Sequence, residues 1–525
     1  MNSTHCSRRR GGILKKLLAT IAILVVLVLS VVGYEFYLGA TATPTIATNY
    51  TEQIHDQTLE RHRARSGPGL NQYPAYESVM IEVDAANDWL RQESANLPDD
   101  PDNPWDYIDL STIYYVPEEG TPEQHAEAVR LATDALAEWE RRGIFEGAAE
   151  ISELERVARP PTEEPMANFP MGYLGTSRAF SRALAARARL AAQRGDHEQR
   201  LLAIEHMLAL GRHAADLGYL IDLLVGAAIQ SVGRTVLLEN QLLYPVGDDQ
   251  WLQRADAIVQ RELVELAPSL GIALDNERLY VADMLQRCYT DNGKGKGNGR
   301  FIPLLFAEII GEDPEGAATS LTPFGDTKLS NIHGRLFIDR EQANEWLDGA
   351  WDLHRAAAVA KGMDALEADR RAAEYYQSAD WRNPLAMNLA TFGRVGTADR
   401  TRHVQAAGTR VLLAIERYRL ANGGDVPQSL DDLGDLLPDS LRTDPFTGQP
   451  WDYSPTPLTV DPYGDPLLPG HHAWPYTLRS RGLPGEEAEH TYENDHHAHH
   501  GVLITVPIDG PQYDEPEIDP QSEGS

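Results

Sequence analysis

An uncharged apolar run from Leu17 to Tyr34 constrains this chain more than any other stretch. A helix rises about 1.5 Å per residue, so a run of this length spans roughly 27 Å, close to the hydrocarbon thickness of a bilayer. A core helix of a soluble domain keeps a polar face, and this stretch has none. Arg8, Arg9, Arg10, Lys15 and Lys16 precede it without an acid, and the first acid, Glu35, follows it. The positive-inside rule then leaves the amino terminus in the cytoplasm and exports everything after about Ala40. Tyr34, Phe36 and Tyr37 suit the outer interface, where an amphipathic ring is half wet. The expectation is a single-pass protein of the cell inner membrane, with a basic leader over 1–16 and a transmembrane anchor over 17–38.

A cleaved signal peptide competes with that reading, because Leu38-Gly39-Ala40 and Ala40-Thr41-Ala42 offer small residues to a signal peptidase. The apolar run exceeds the roughly 7 to 15 residues of a signal core, which favours an uncleaved anchor. The anchor places Cys6 and Cys288 on opposite sides of the membrane, so they cannot pair. An exported body of this size can rely on a hydrophobic core, and Cys288 reads as a small buried apolar residue. The whole chain carries a formal charge of −33, and −38 once the five leader cations are set aside. Such a charge excludes nucleic acid as a partner and disfavours an anionic membrane surface.

Residues 39–76, rich in Thr, Pro, Gly, Gln and Arg without an apolar period, read as a stalk. An α-helical domain over 77–398 follows. Thr121-Pro122-Glu123-Gln124 opens one helix, with Thr121 as cap, Pro122 at the first position and Gln124 closing a capping box, and Gly143 ends it. The longest helical block is Tyr173 to Leu243. Within it, apolar stripes on either side of Arg194-Gly195-Asp196 predict two antiparallel helices resembling a single tetratricopeptide pair, with no second copy about 34 residues on. Tyr219 to Leu238 is apolar enough to be a buried centre, with Asp222, Arg234 and Glu239 arguing against a second membrane span. Helices are predicted near Asp249–Leu266 and Ala273–Tyr289. The glycine-rich Asp291–Gly299 is a connector, since neither the strand of a phosphate loop nor the acids of a calcium loop are in place. Phe301–Lys328 reads as irregular, and Asp339–Tyr376 as helix.

From 399 the pattern changes. A helix over Asp399–Ala421 places Val404, Ala407, Val411, Ile415 and Tyr418 on one face and stops at Asn422-Gly423-Gly424. Ser429 and Asp432 can cap a short helix carrying Leu430, Leu433, Leu436 and Leu437. Asp444 to Pro450 is a turn-dense bend, and Trp451, Tyr453, Tyr476 and Leu478 supply short strands. In this order, Tyr-Arg-Leu-Ala-Asn-Gly-Gly (418–424), Pro-Gln-Ser-Leu-Asp-Asp-Leu (427–433), Asp-Pro-Phe-Thr-Gly-Gln-Pro (444–450) and Tyr-Thr-Leu-Arg-Ser (476–480) resemble the carboxy-terminal half of a type II secretion major pseudopilin. The resemblance covers about 401–487 and implies a small α+β module; the leader lacks the Gly-Phe-Thr-Leu-Ile-Glu processing motif. As a whole the chain resembles uncharacterised single-span, helix-rich bacterial membrane proteins. The expected fold is mainly α: an irregular helical bundle with one tetratricopeptide-like pair, a pseudopilin-like α+β module over 399–510, an amino-terminal transmembrane helix, and a disordered acidic tail over 511–525.

No Gly-x-Ser-x-Gly elbow, Walker sequence or zincin spacing occurs. The one cluster of metal-ligand types is His490, His496, His497, His499 and His500, with Glu489, Glu493 and Asp495 among them. Imidazoles and carboxylates suit zinc, nickel or copper, although a His-rich polar loop explains the same letters. The expected function is therefore a non-enzymatic membrane-anchored scaffold of the bacterial cell envelope, linked to secretion, with envelope protein partners and no catalytic residues or cofactor. The alternative is a metal-dependent envelope enzyme using the His490–His500 tract and a divalent transition metal.

Overall fold

The computed structural model describes residues 30–31, 34, 37–38, 41–44, 46–95, 110, 122–163, 166, 172–290, 299–310, 336–360, 362–380, 382–389, 395–445, 447–457, 471–480, 504 and 508–509. Most of the apolar run, the Asp291–Asn298 connector, the histidine tract and the acidic tail lie outside the described residues. The described residues are mainly α-helical, with two small two-stranded antiparallel sheets among them toward the carboxy terminus.

The centre is built from three consecutive helices: α5 (Gly172–Gln193), α6 (His197–Asp216) and α7 (Leu220–Leu243). Gly195, at a φ of +69°, makes the first turn, and the Asp196 carboxylate caps α6 by accepting the Gln199 N–H at 3.0 Å. The second hairpin packs backbone on backbone. A Cβ on Gly211 would stand 2.7 Å from the Gly226 carbonyl oxygen, closer than any side chain tolerates. α7 is long and apolar enough to cross a membrane by composition, yet 56% of its most apolar window is buried inside the protein. Two of its buried polar side chains find protein partners: Asn240 donates to the Ala188 carbonyl, and Gln241 accepts from buried Arg200 at 3.2 Å.

Around this centre pack α2 (Tyr73–Ala95), α3 (Pro122–Arg141) and α4 (Ile144–Glu153) on one side. α3 starts at Pro122, and Gly143, with a φ of +77°, turns the chain into α4. On the other side lie α8 (Asp249–Gln260), continued by a π-helical turn over Arg261–Glu265, and α9 (Leu270–Cys288). Cys288 is buried, and burial pushes its thiol well above the ordinary range. The stretch predicted to be irregular after Phe301 instead contains α10 (Pro303–Ile310). Phe301, bridged to Tyr289, and Phe306 anchor it in an aromatic cluster, and eight residues are too few for a helical period to stand out. α11 (Arg340–Val359) opens with a reciprocal capping box between Asp339 and Gln342. α12 (Gly362–Gln377) and α13 (Pro384–Leu389) follow.

The stalk expected over 39–76 is corrected by the structure. Tyr50–Ser66 is a helix, α1, docked on the body, and α2 begins at Tyr73. The reason it was illegible is chemical: the buried positions of α1 are Thr51, Ile54, Thr58 and His62, so helical spacing is kept but only one is aliphatic. The strand of chain before α1 is also pinned. Buried Gln286 of α9 accepts the Ala47 and Thr48 N–H groups at 3.1 and 3.2 Å and donates to the Thr48 carbonyl at 2.8 Å.

The next helix, α14 (Val395–Ala421), starts four residues before the expected Asp399. Val404, Val411 and Ile415 are buried on one face, and Gly423 and Gly424, both at positive φ, end it. Arg410 reaches Asp256 at 2.7 Å and Arg417 reaches Asp249 at 2.6 Å, tying α14 to α8. Past it, Ser429 and Asp432 form the expected capping box, on a 3-10 rather than an α-helical turn. β1 (Asp452–Ser454) pairs antiparallel with β3 (Thr477–Arg479), Tyr453 opposite Leu478, while β2 (His471–His472) pairs with β4 (Ile508–Asp509). Leu433, Leu437, Trp451, Trp474, Tyr476 and Leu478 close a separate core against α14.

Candidate functional site

Two buried polar clusters lie at opposite ends of the α6–α7 turn. Both come from residue types that seldom go unpaired into a core.

The first is built on the start of α7. Asp222, fully buried at the third helical position, accepts the Tyr219 N–H at 3.0 Å, and the Tyr173 hydroxyl of α5 donates to it. The Arg159 guanidinium approaches the same carboxylate at 3.5 Å and lies over the rings of Tyr173 and Tyr219, 4.4 and 5.2 Å from their centroids. From α9, Glu277 accepts the Leu220 N–H at 3.2 Å. A helix amino terminus favours these anions; burial works against them. Burial raises Asp222, with Arg159 opposing, and burial followed by the charge of Asp222 pushes Glu277 up to about 7. A carboxyl at that value exchanges protons near neutrality, the property of a general acid or base. The oxygens of Asp222 are engaged by Tyr219, Tyr173 and Arg159, and Glu277 is engaged by the Leu220 N–H. Two surface pockets, one lined by Gln57, Glu60, Arg61, Arg63, Ala64, Ile272 and Asp275 and one by Asp196, Glu198, Gln199, Leu202, Glu205 and Arg254, contain neither carboxylate.

The second cluster joins α1 to the end of α6. Asp216, fully buried, accepts from Arg61 at 3.0 Å and Arg65 at 2.8 Å. Burial raises Asp216, but the two guanidiniums outweigh it and hold the carboxyl at about 2. His62 sits between the Val157 carbonyl, 3.0 Å from Nε2, and the Arg65 guanidinium, 3.1 Å from Nδ1. Neighbouring His213 is fully buried, and among the described residues neither of its ring nitrogens has a hydrogen-bond partner. Burial lowers His62 to about 4 and His213 well below its ordinary value, with Arg212 adding to the latter.

The five tract histidines, His490, His496, His497, His499 and His500, all lie outside the described residues. Among the described residues no three His, Cys, Asp or Glu side chains are grouped so as to hold a metal ion. Sequence reasoning missed both clusters. Asp222 had a signal, an acid inside an otherwise apolar helix; His62 and Arg159 had none, since their burial depends on partners more than sixty residues away. Compared with family models, curated proteins and solved structures, the chain finds no match in any of the three.

Proposed function

We propose that this chain is a non-enzymatic, membrane-anchored scaffold of the bacterial cell envelope, linked to secretion, that presents its carboxy-terminal module to envelope protein partners. The observation that carries the reading is the continuity of α14. It is fastened to the helical body along its length, by Arg402 to the Pro268 carbonyl at 3.0 Å, by Arg410 to Asp256 and by Arg417 to Asp249, while Val404, Val411 and Ile415 on another face carry the core it shares with the module. One rigid rod therefore serves both parts, which suits holding a recognition surface at a fixed angle to the body. The order of helix, 3-10 turn, Asp444-centred bend and antiparallel strands supports the resemblance to the pseudopilin carboxy-terminal half. The hairpin of α5 and α6 supports the tetratricopeptide-like pair, and the remaining helices the irregular bundle. The proposed topology is a single span over 17–38, cytoplasmic amino terminus and exported body.

The test is site-directed photocrosslinking in cells, from exposed Asp439 of the module and, as a control, from exposed Arg63 of α1. A discrete adduct with another envelope protein from Asp439 and not from Arg63 is expected. A chain that stays free of adducts at Asp439, or a body protected from protease added to spheroplasts, overturns the reading.

A further inference from the structure

Helix α1 is attached in an unusual way. Of its buried side chains only Ile54 is aliphatic, packed with Met166 and Tyr219. Half-buried Tyr50 packs on the same cluster, and the remaining contacts are polar: Thr51 donates to the Thr162 carbonyl at 2.6 Å, His55 meets the Arg159 carbonyl at 2.7 Å, and His62, Arg61 and Arg65 make the contacts to Val157 and Asp216 given above. Apolar burial would hold a helix at any pH; this interface depends on protonation state.

We propose that α1 is an acid-released strap, set loose from the body when His62 and His213 take up protons. The geometry of His62 defines the step. Arg65 can only donate, so the bond at 3.1 Å requires Nδ1 to be an acceptor, and Nε2–H then donates to the Val157 carbonyl. Adding a proton at Nδ1 sets two donors face to face. The surroundings cannot absorb the charge. On α1 stand Arg61 and Arg65; from α6 come Asp216, His213 and Arg212; from the π turn comes Glu262, paired with Arg212 at 2.7 Å and with Arg261, which also holds Glu205. The 157–159 segment offers carbonyls, and Arg159 is already committed to Asp222. Among the described residues Asp216 is the carboxylate paired with both Arg61 and Arg65, while Glu60 and Asp275, the latter held by Arg355, line the surface pocket beside Arg61. Protonation of both histidines adds two positive charges to this group. Release separates the chain at 50–66 from the body while the α5–α6–α7 centre, held by apolar packing, stays folded.

The test is hydrogen exchange on the full chain in nanodiscs, corrected for the intrinsic pH dependence of exchange, from pH 7.5 to 4.5. His62 titrating from 6.5 when free to about 4 when docked loosens α1 by roughly 50- to 100-fold over that range. Peptides covering 50–66 are expected to lose protection by that factor while those covering 197–243 keep theirs. His62→Gln, which retains a donor for Val157 and an acceptor for Arg65, is expected to abolish most of the pH dependence. Protection of 50–66 persisting at pH 4.5, its loss in step with 197–243, or an unchanged pH response in H62Q each overturns the proposal. The comparison of peptides within the unsubstituted chain decides the matter even if the variant misfolds.

Discussion

The Tyr476 hydroxyl donates to Glu416 Oε1 at 2.8 Å in the core between the small sheet and α14, and Arg419 takes the same carboxylate at 2.8 Å. Both partners are buried, and burial together with Glu416 pushes the Tyr476 hydroxyl well above its ordinary range. Tyr476→Phe removes a donor from a charged, dry acceptor and is expected to destabilise the module by about 1–3 kcal/mol. Chemical denaturation followed by tryptophan fluorescence checks this, with Trp451 and Trp474 reporting locally; an unchanged midpoint contradicts it.

The crossing of α6 and α7 gives a sharper contrast. Gly226→Ala puts a methyl group against the Gly211 carbonyl and Ala215 and forces the helices apart, costing about 1–3 kcal/mol. Gly175→Ala, on exposed helix with open space at the Cβ position, is expected to stabilise by up to about 1 kcal/mol. Thermal melts of the two variants should therefore move in opposite directions.

Glu277 supplies a pH signature. Its carboxyl stands at about 7 in the folded protein against 4.5 when free, so between those values the folded state binds more protons. Its contribution to stability is fully present below about pH 4.5 and is lost as pH rises through 7. Glu277→Gln keeps an acceptor for the Leu220 N–H without the charge. It is expected to gain about 1–3 kcal/mol at pH 8 and nothing at pH 4.5. Equal stability of variant and parent at pH 8, by urea titration, rules this out.

The histidine tract is approached by substitution. Replacing His490, His496, His497, His499 and His500 together by Asn is expected to leave the melting temperature unchanged with or without zinc. A metal site would instead add about 2.7 kcal/mol at a hundredfold excess of zinc over Kd. That gain would disappear below roughly pH 6.5, as imidazoles protonate. A zinc-dependent rise at pH 7.5 that the five-Asn variant lacks would favour the metal-enzyme reading.

What could be read from the sequence followed from local rules. Gly195 and Asp196, Gly423 and Gly424, and the Ser429–Asp432 pair each fix the chain within four residues, and all stand where expected. The short strands at Tyr453 and Leu478 also stand where aromatic and aliphatic residues suggested them, while their pairing with each other was not legible. What stayed hidden was held by distant partners. α1 has a polar inner face, so its period is written in Thr51, Thr58 and His62, which by composition look like solvent-facing residues. Arg159 and Glu277 look like ordinary surface charges until α7 supplies Asp222 and a helix terminus to enclose them.

The grip of Gln286 on Ala47 and Thr48 sets a reach. Under the proposed topology about nine residues run from Leu38 at the outer interface to Ala47, and a fully extended chain of that length covers roughly 30 Å. While the grip holds, the body is on a short leash and sweeps only a shallow zone above the lipid. A pull between bilayer and body loads three hydrogen bonds to one glutamine before any helix is strained, so this is where the leash would first pay out. Its next stop, three residues on, is Thr51 at the start of α1, bonded to the Thr162 carbonyl.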